Sequence, residues 1–413
     1  MRAERPPAMN STTISLDPAA AAKRATLDAG MRAAALPLAL FSLAHFFIDL
    51  YSGALGALQP LLIAQFGITL TQAGLLGGML VFSGSVMQPV YGYFSDRTGS
   101  RLFTVLAPAA AGVFISSLGW APSYLGLLAM VFLGAAGIGS FHPQATANAA
   151  LGVKANPGRA MAAFISAGTL GMALGPTYFS FVTGRWGLRL MPWAAVPGIA
   201  VSVLLWLFLP PVHGHAGTRP KFDAGPLRAV WKPMTILYFL VVIRSVVQIT
   251  FTQFLPLYLT VHRGYTLAAA SYVTSLYLAG GALGGFMGGN IADRIGGRTV
   301  ILISMLGSIP FLALFVFTKG IWSIAALVAG GLVLLFTIPV NVVMGQRLAP
   351  AQAGTVSALM MGAAWGMAGM VFIPLTGWIA DHYSMQYAFA GLIAFPFIGF
   401  ILALWLPKRA GLE

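Results

Sequence analysis

The sequence predicts an all-α integral membrane protein with twelve transmembrane helices, arranged as two pseudo-symmetric six-helix bundles. Three observations carry that expectation: charge is scarce, apolar runs of membrane-spanning length recur along the chain, and one loop motif appears twice. Of 413 residues, 58% are hydrophobic and only 8% are Asp, Glu, Lys or Arg. A soluble domain carries roughly 25% charged residues, so this chain has too few to cover a water-facing surface. In hydrocarbon few are needed, because helices satisfy their backbone polar groups internally. The 49 glycines suit the same solvent, where small residues let helices approach closely.

Spans follow from the apolar runs. About 20 mainly apolar residues cross roughly 30 Å of hydrocarbon. Read from turn to turn, spans fall near 36–65, 70–94, 102–120, 122–149, 159–183 and 189–210. After a polar break come spans near 234–260, 266–290, 299–318, 321–346, 354–379 and 385–406. Charge supports the count. With the N-terminus inside, eighteen of the 23 Lys and Arg residues fall on inner segments and four on outer loops, leaving Arg244 within a span. That bias places both termini in the cytoplasm. The domain organisation is then a cytoplasmic tail at 1–33, a first bundle at 34–210, a cytoplasmic loop at 211–233, a second bundle at 234–407 and a tail at 408–413.

The two halves share a motif. Gly92-Tyr-Phe-Ser-Asp96-Arg97-Thr-Gly99-Ser-Arg101 follows span two, and Gly289-Asn-Ile-Ala-Asp293-Arg294-Ile-Gly296-Gly-Arg298 follows span eight. Both read G-x-x-x-D-R-x-G-x-R, 197 positions apart. Gly92 and Gly289 let a neighbouring helix approach, Gly99 and Gly296 permit a tight turn, and the Asp residues can accept from a helix terminus or pair with a base. Repeated halves are typical of secondary transporters, in which one half rocks against the other around a midplane site. Span eight also carries Gly280, Gly284 and Gly288 at four-residue spacing, a small face for helix packing.

Ionisable groups inside spans are costly and default to function. His45 and Asp49 are four apart on one face of span one, and both can carry protons. They read either as a proton-coupling or substrate contact, or as a fixed structural hydrogen bond. Arg244, in span seven, is a permanent planar cation suited to an anionic substrate group or to a transient pair with Asp49; snorkelling to the interface is the alternative. Gln248 and Gln253 extend the polar character of that helix as substrate-binding candidates. In span four, Phe141-His142-Pro143-Gln144 places a proline where it is expected to disturb the helix and aim inward His142 or Gln144, the latter a further substrate-binding candidate. His142 reads either as a proton relay or as a neutral ring bonded to a carbonyl. Asp381-His382, at the outer end of span eleven, reads as a surface pair, with a gate element as the alternative.

These residues and motifs resemble the major facilitator superfamily across residues 34–407. The resemblance implies alternating access, with the loop motif of each half acting as a conformational latch: Gly92, Asp96, Arg97, Gly99 and Arg101, and Gly289, Asp293, Arg294, Gly296 and Arg298. Gly171-x-x-x-Gly175-Pro176 resembles the span-five motif of exporters in that superfamily. Within it, His45-Phe-Phe-Ile-Asp49-Leu50, Gln88-Pro89-Val90-x-Gly92-Tyr93, the Phe141-His142-Pro143 run and Arg244 resemble the fosmidomycin-resistance group. That similarity implies a bacterial inner-membrane exporter working by drug/proton antiport. Relatives read F-H-P-E in span four where this chain has Gln144. Gln cannot titrate, so proton handling would fall more heavily on Asp49 and His142.

Other classes are excluded or left without support. The net charge of +14 is spread through short loops with no basic stripe or binding module, so nucleic acid is not expected. Cysteine is absent, which removes disulfides, thiol nucleophiles and cysteine metal sites. His213 and His215 stand in the central loop without further ligands. His45, Asp49 and His142 do not by themselves establish a metal cluster at one depth, so neither a metal site nor a cofactor is expected. The expected partners are a small amphiphilic or anionic substrate, protons and the lipid bilayer, around a monomer. A proton-coupled importer, or a non-transporting receptor, would use the same scaffold.

Overall fold

In the computed structural model, described for residues 18–98, 100–150, 153, 156–209 and 224–407, every regular element is helical. Ten stretches are long and apolar enough to cross a membrane. They include Ala35–Phe66 (α1), Leu70–Ser95 (α2) and Tyr124–Asn148 (α4), with Leu102–Ser116 (α3) a shorter apolar helix between the last two. Gly158–Phe208 is one stretch of 51 residues. At about 1.5 Å per residue it would extend roughly 76 Å, more than twice the hydrocarbon thickness. Gly187, at φ 69° and ψ 175°, breaks it, which gives α5 (158–186) and α6 (188–208). Then follow Trp231–His262 (α7), Leu267–Ile295 (α8), Gly297–Phe317 (α9), Ile321–Leu348 (α10), Pro350–His382 (α11) and Met385–Leu404 (α12). The split at Gly187 and the short α3 reconcile ten stretches with twelve crossings. The central loop residues 210–223, with His213 and His215, lie outside the described residues.

Helix starts are encoded locally. Thr69 opens α2 with a capping box: its hydroxyl accepts from the Gln72 amide, and the Gln72 side chain accepts from the Thr69 amide. Ser123, Thr266 and Ser384 cap α4, α8 and α12 in the same side-chain fashion. All four caps lie at the end of the molecule opposite the repeated motifs, called here the far face; the other end is the motif face.

Buried apolar side chains gather in two clusters. One runs from Leu40 to Leu209. The other runs from Met234 to Leu406 and includes Val81 and Ala173 from the first half. Glycines set the closest helix approaches. A Cβ on Gly284 would collide with the Leu332 carbonyl, and one on Gly288 with the Phe336 carbonyl, so α8 lies backbone to backbone on α10; Gly280 meets Val328 in the same seam. In α5, Gly171 sits against the Phe46 carbonyl and Gly175 against the Leu50 carbonyl of α1. Pro176 is one residue further along, where its ring faces Gly53 of α1.

The repeated motif has symmetric contacts. Gly92 faces the Pro143 ring at 3.4 Å and Gly289 faces the Pro339 ring at 3.7 Å, measured from the Cβ each glycine lacks. Arg101 donates to the Leu209 and Trp206 carbonyls at the end of α6. Arg298 donates to Leu406 and Leu404 at the end of α12, at 3.0 and 3.1 Å. Each arginine satisfies carbonyls that the last turn of a helix leaves open. Gly296 ends α8 at φ 85°, as the turn requires. Arg97 is exposed and donates to Tyr93 Oη. Asp293 and Arg294 are exposed and line an open cleft of about 470 Å³ with Arg347. Gly99 and the Asp96 side chain lie outside the described residues.

Among the described residues, the hydrogen bonds that cross between the halves lie toward the far face. Thr177 of α5 bonds Ser275 of α8 at 2.7 Å. The Asp381 carboxylate of α11 accepts from the Leu70 amide at 2.9 Å, the Thr71 amide at 2.7 Å and the Thr71 hydroxyl at 2.6 Å. Asp381 is exposed, as the surface reading expects, and it also caps the first turn of α2 across the divide, where free amides and the helix dipole favour a carboxylate. A correction concerns Pro143, since α4 runs unbroken through it from Tyr124 to Asn148.

Three outcomes are expected. Gly171→Leu, which drives a side chain into the Phe46 carbonyl, lowers the melting temperature of purified protein, overpacking costing about 1–3 kcal/mol. Gly184→Ala, with open space around it, leaves melting nearly unchanged. Asp381→Ala raises thiol labelling from the far face of a single Ser275→Cys reporter, measured in a chain that has no native cysteine.

Candidate functional site

The charged groups buried in the bundles fall into two places. In the first half, α1 carries His45 and Asp49 one helical turn apart, each about 8% exposed. Gly168 of α5 has its Cα hydrogen against the His45 ring, where a Cβ would overlap it. Together with Gly171 and Gly175, this presses α5 onto the segment of α1 that bears both groups. His45 also stacks on Phe164, ring centres 4.3 Å apart, and meets Phe141 and His142. The ring is therefore held in one orientation.

That orientation decides its protons. His45 Nδ1 lies 2.8 Å from the Phe164 carbonyl oxygen. A carbonyl only accepts, so Nδ1 carries the hydrogen, and in the neutral ring Nε2 is a bare lone pair. This Nε2 faces Asp49 Oδ2 at 3.3 Å. The other carboxylate oxygen, Oδ1, lies 3.7 Å from Nε2 of His142 on α4. The three side chains meet at one depth, with their ligating atoms within 4.8 Å of one another. The sequence alone did not establish this convergence: α1 and α4 pack so that residues nearly a hundred positions apart meet. His142 is the most accessible of the three, its side chain 23% exposed against 10% and 12% for the others.

Gln144 does not join them. Two residues beyond His142 on the same helix it points elsewhere, accepting from the Thr104 hydroxyl at 2.5 Å and donating to the Ser100 carbonyl at 3.0 Å. It ties α4 to the start of α3, and its role as a substrate-binding candidate loses its basis.

The second place is in α7. Arg244 is 5% exposed and does not snorkel. Its Nη1 donates to Gln248 Oε1 at 2.5 Å, its guanidinium lies over the Trp365 ring at 5.8 Å, and its buried Nε has no hydrogen-bond partner. The Tyr277 hydroxyl, near enough to interact electrostatically with it, is also buried without a partner. Among the described residues no carboxylate pairs with Arg244, so the transient pair with Asp49 is absent here. Gln253 lies further along α7, packed against Gly77 of α2, with its Nε2 unpaired. Sequence reasoning missed Gly168 and the Phe164 carbonyl, and left Asp381 between a surface pair and a gate element. Gly168 had a signal, three residues before Gly171; the other two depend on which helices meet.

Chemically, the first place brings a carboxylate and two imidazoles close enough to share a proton. The second holds a buried cation and hydroxyl with unused donors. Comparison with known proteins bears on the family and the fold. The family model described as Major Facilitator Superfamily matches residues 41–363 and 237–412. The chain is 28% identical to the uncharacterized MFS-type transporter YfnC of Bacillus subtilis over 380 residues, 90% of this chain and 92% of that one. It is 27% identical to the fosmidomycin resistance protein of Escherichia coli over 378 residues, covering 90% and 93%. It is 25% identical to the probable sulfoacetate transporter SauU of Cupriavidus necator, covering 86% and 90%. Among solved structures, a bacterial homolog of the human lysosomal transporter Spinster superposes with a TM-score of 0.74 at 15% identity, over 89% of this chain and 96% of that one. The nucleoside transporter NupG superposes with a TM-score of 0.73 at 14% identity, over 91% and 100%. The chain belongs to the Major Facilitator Superfamily, a multi-pass membrane carrier of small molecules rather than an enzyme.

Proposed function

We propose that this carrier is a proton-coupled antiporter that exports a small amphiphilic or anionic compound by alternating access. One observation carries the reading: His45 Nε2 faces the Asp49 carboxylate with its other nitrogen already committed to a carbonyl. Two lone pairs at that distance repel, and one proton, on the ring or on the carboxyl, turns the contact into a hydrogen bond. The site is therefore built to hold a proton, and His142 gives it a partly exposed relay.

Arg244 supplies the substrate end. Its unpaired Nε and the unpaired Tyr277 hydroxyl can meet acceptor oxygens of an anion, while Trp365 offers an apolar face. The relatives named for fosmidomycin resistance and for sulfoacetate transport support an anionic or drug-like cargo. They also support placing this chain near the fosmidomycin-resistance group. The loop charge bias assigns the motif face to the cytoplasm, with both termini. The far face, where Asp381 bridges the two halves, is then the exterior. A proton taken up outside and released inside drives the substrate outward.

In proteoliposomes with an imposed proton gradient, Asp49→Asn is expected to reduce proton-driven flux to near background while the protein remains folded in the membrane. Normal flux by that variant removes the role of Asp49. Flux of substrate down the proton gradient, rather than against it, replaces export by import. Arg244→Ala is expected to weaken recognition of an anionic substrate roughly ten- to a hundredfold, the worth of a lost charge-assisted hydrogen bond. A neutral substrate losing as much makes Arg244 a gating or structural residue.

A further inference from the structure

We infer that His45, Asp49 and His142 form a binding site for one divalent transition-metal ion. The donors come from two helices and all lie within 4.8 Å of one another. A four-coordinate centre with bonds of about 2.0–2.1 Å holds its ligand atoms roughly 3.3 Å apart. His45 Nε2 and Asp49 Oδ2 already stand 3.3 Å apart, and His142 Nε2 and Asp49 Oδ1 stand 3.7 Å apart. The imidazoles approach different oxygens, so the carboxylate can bind through either one or both. The remaining adjustment falls to His142, the least buried of the three side chains.

The surroundings suit such a centre. Metal-bound histidine usually donates its second ring N–H to a carbonyl, which fixes the tautomer and aims the free nitrogen at the ion. His45 makes that bond to Phe164 at 2.8 Å. Two neutral imidazoles and one carboxylate carry a single negative charge, and the exposure at His142 lets water complete the coordination. Nitrogen-rich donors select zinc, cobalt, nickel or copper over magnesium and calcium, which take oxygen. No cysteine competes anywhere in the chain, and no other His, Asp or Glu triad forms among the described residues. His262 is stacked on Tyr258, and His382 bonds the Trp378 carbonyl. A proton bridges His45 and Asp49 alone, whereas a metal ion would take donors from all three side chains. The ion would occupy the place of the coupling proton between His45 and Asp49.

The test is a Co²⁺ titration of the full chain, purified without a histidine tag, followed by visible absorption and by competition with Zn²⁺. One ion per chain with the intense bands of a four-coordinate centre is expected, displaced by Zn²⁺ and indifferent to Mg²⁺. Losing a hydrogen-bonding partner of a ligating imidazole lowers metal affinity roughly 10- to 100-fold, so loss of a ligand in His142→Gln should exceed about tenfold. Asp49→Asn should weaken binding likewise, with gel-filtration profiles unchanged. Absence of saturable binding to the wild type overturns the inference, as does unchanged affinity in both variants. The inference shares residues with the transport reading yet fails separately. Loss of coupling in Asp49→Asn without wild-type metal binding removes only the metal site. Metal binding with normal coupling in Asp49→Asn removes only the proton role.

Discussion

The approach of α5 to α1 is the constraint on which the polar centre depends. Gly168, Gly171 and Gly175 bring the α5 backbone against the His45 ring and the Phe46 and Leu50 carbonyls. At that separation the Phe164 carbonyl, one turn before Gly168, reaches His45 Nδ1. The tautomer follows, and with it the bare Nε2 that confronts Asp49. A larger residue along the stripe would push α5 outward and release the ring. The same small residues that let membrane helices pack without a hydrophobic drive thus set the protonation chemistry of a neighbouring helix.

The two bundles handle buried charge differently despite their shared frame. In the first, a carboxylate is bracketed by two imidazoles from α1 and α4. In the second, a guanidinium is bonded to one glutamine and lies over an indole, with one donor unused. An unpaired polar group is costly in a low-dielectric interior, and Arg244 Nε is one of the buried donors without a protein partner among the described residues. The motif arginines have the opposite character. Arg101 and Arg298 each fasten the end of the last helix in their own half, a repeated structural role.

Closure at the far face uses helix ends as well. The first turn of α2 is capped from within by Thr69 and from the other half by Asp381. Nearer the middle of the molecule, π-helical turns at Phe82–Val86 in α2 and Ala358–Ala363 in α11 loosen the regular ladder. Val86 packs on Gly366 of α11 close to those turns. These two helices are thus capped at one end and carry a looser hydrogen-bond ladder further along.

The sequence by itself determined the solvent, the number of crossings and the repeat. Those rest on composition, on run length against bilayer thickness and on a motif spacing of 197 residues, none of which needs coordinates. It also determined that His45 and Asp49 share a face, because four residues make about one helical turn. Only the tertiary structure decided that His142 completes the cluster while Gln144 leaves it. The two differ by roughly 200° around α4, and which side faces α1 depends on how the helices are rotated in the bundle. Asp381 was ambiguous for the same reason: nothing local reveals that the first turn of α2, more than three hundred residues away, lies beneath its carboxylate. Local periodicity fixes what shares a helix face, and packing between helices fixes what that face meets.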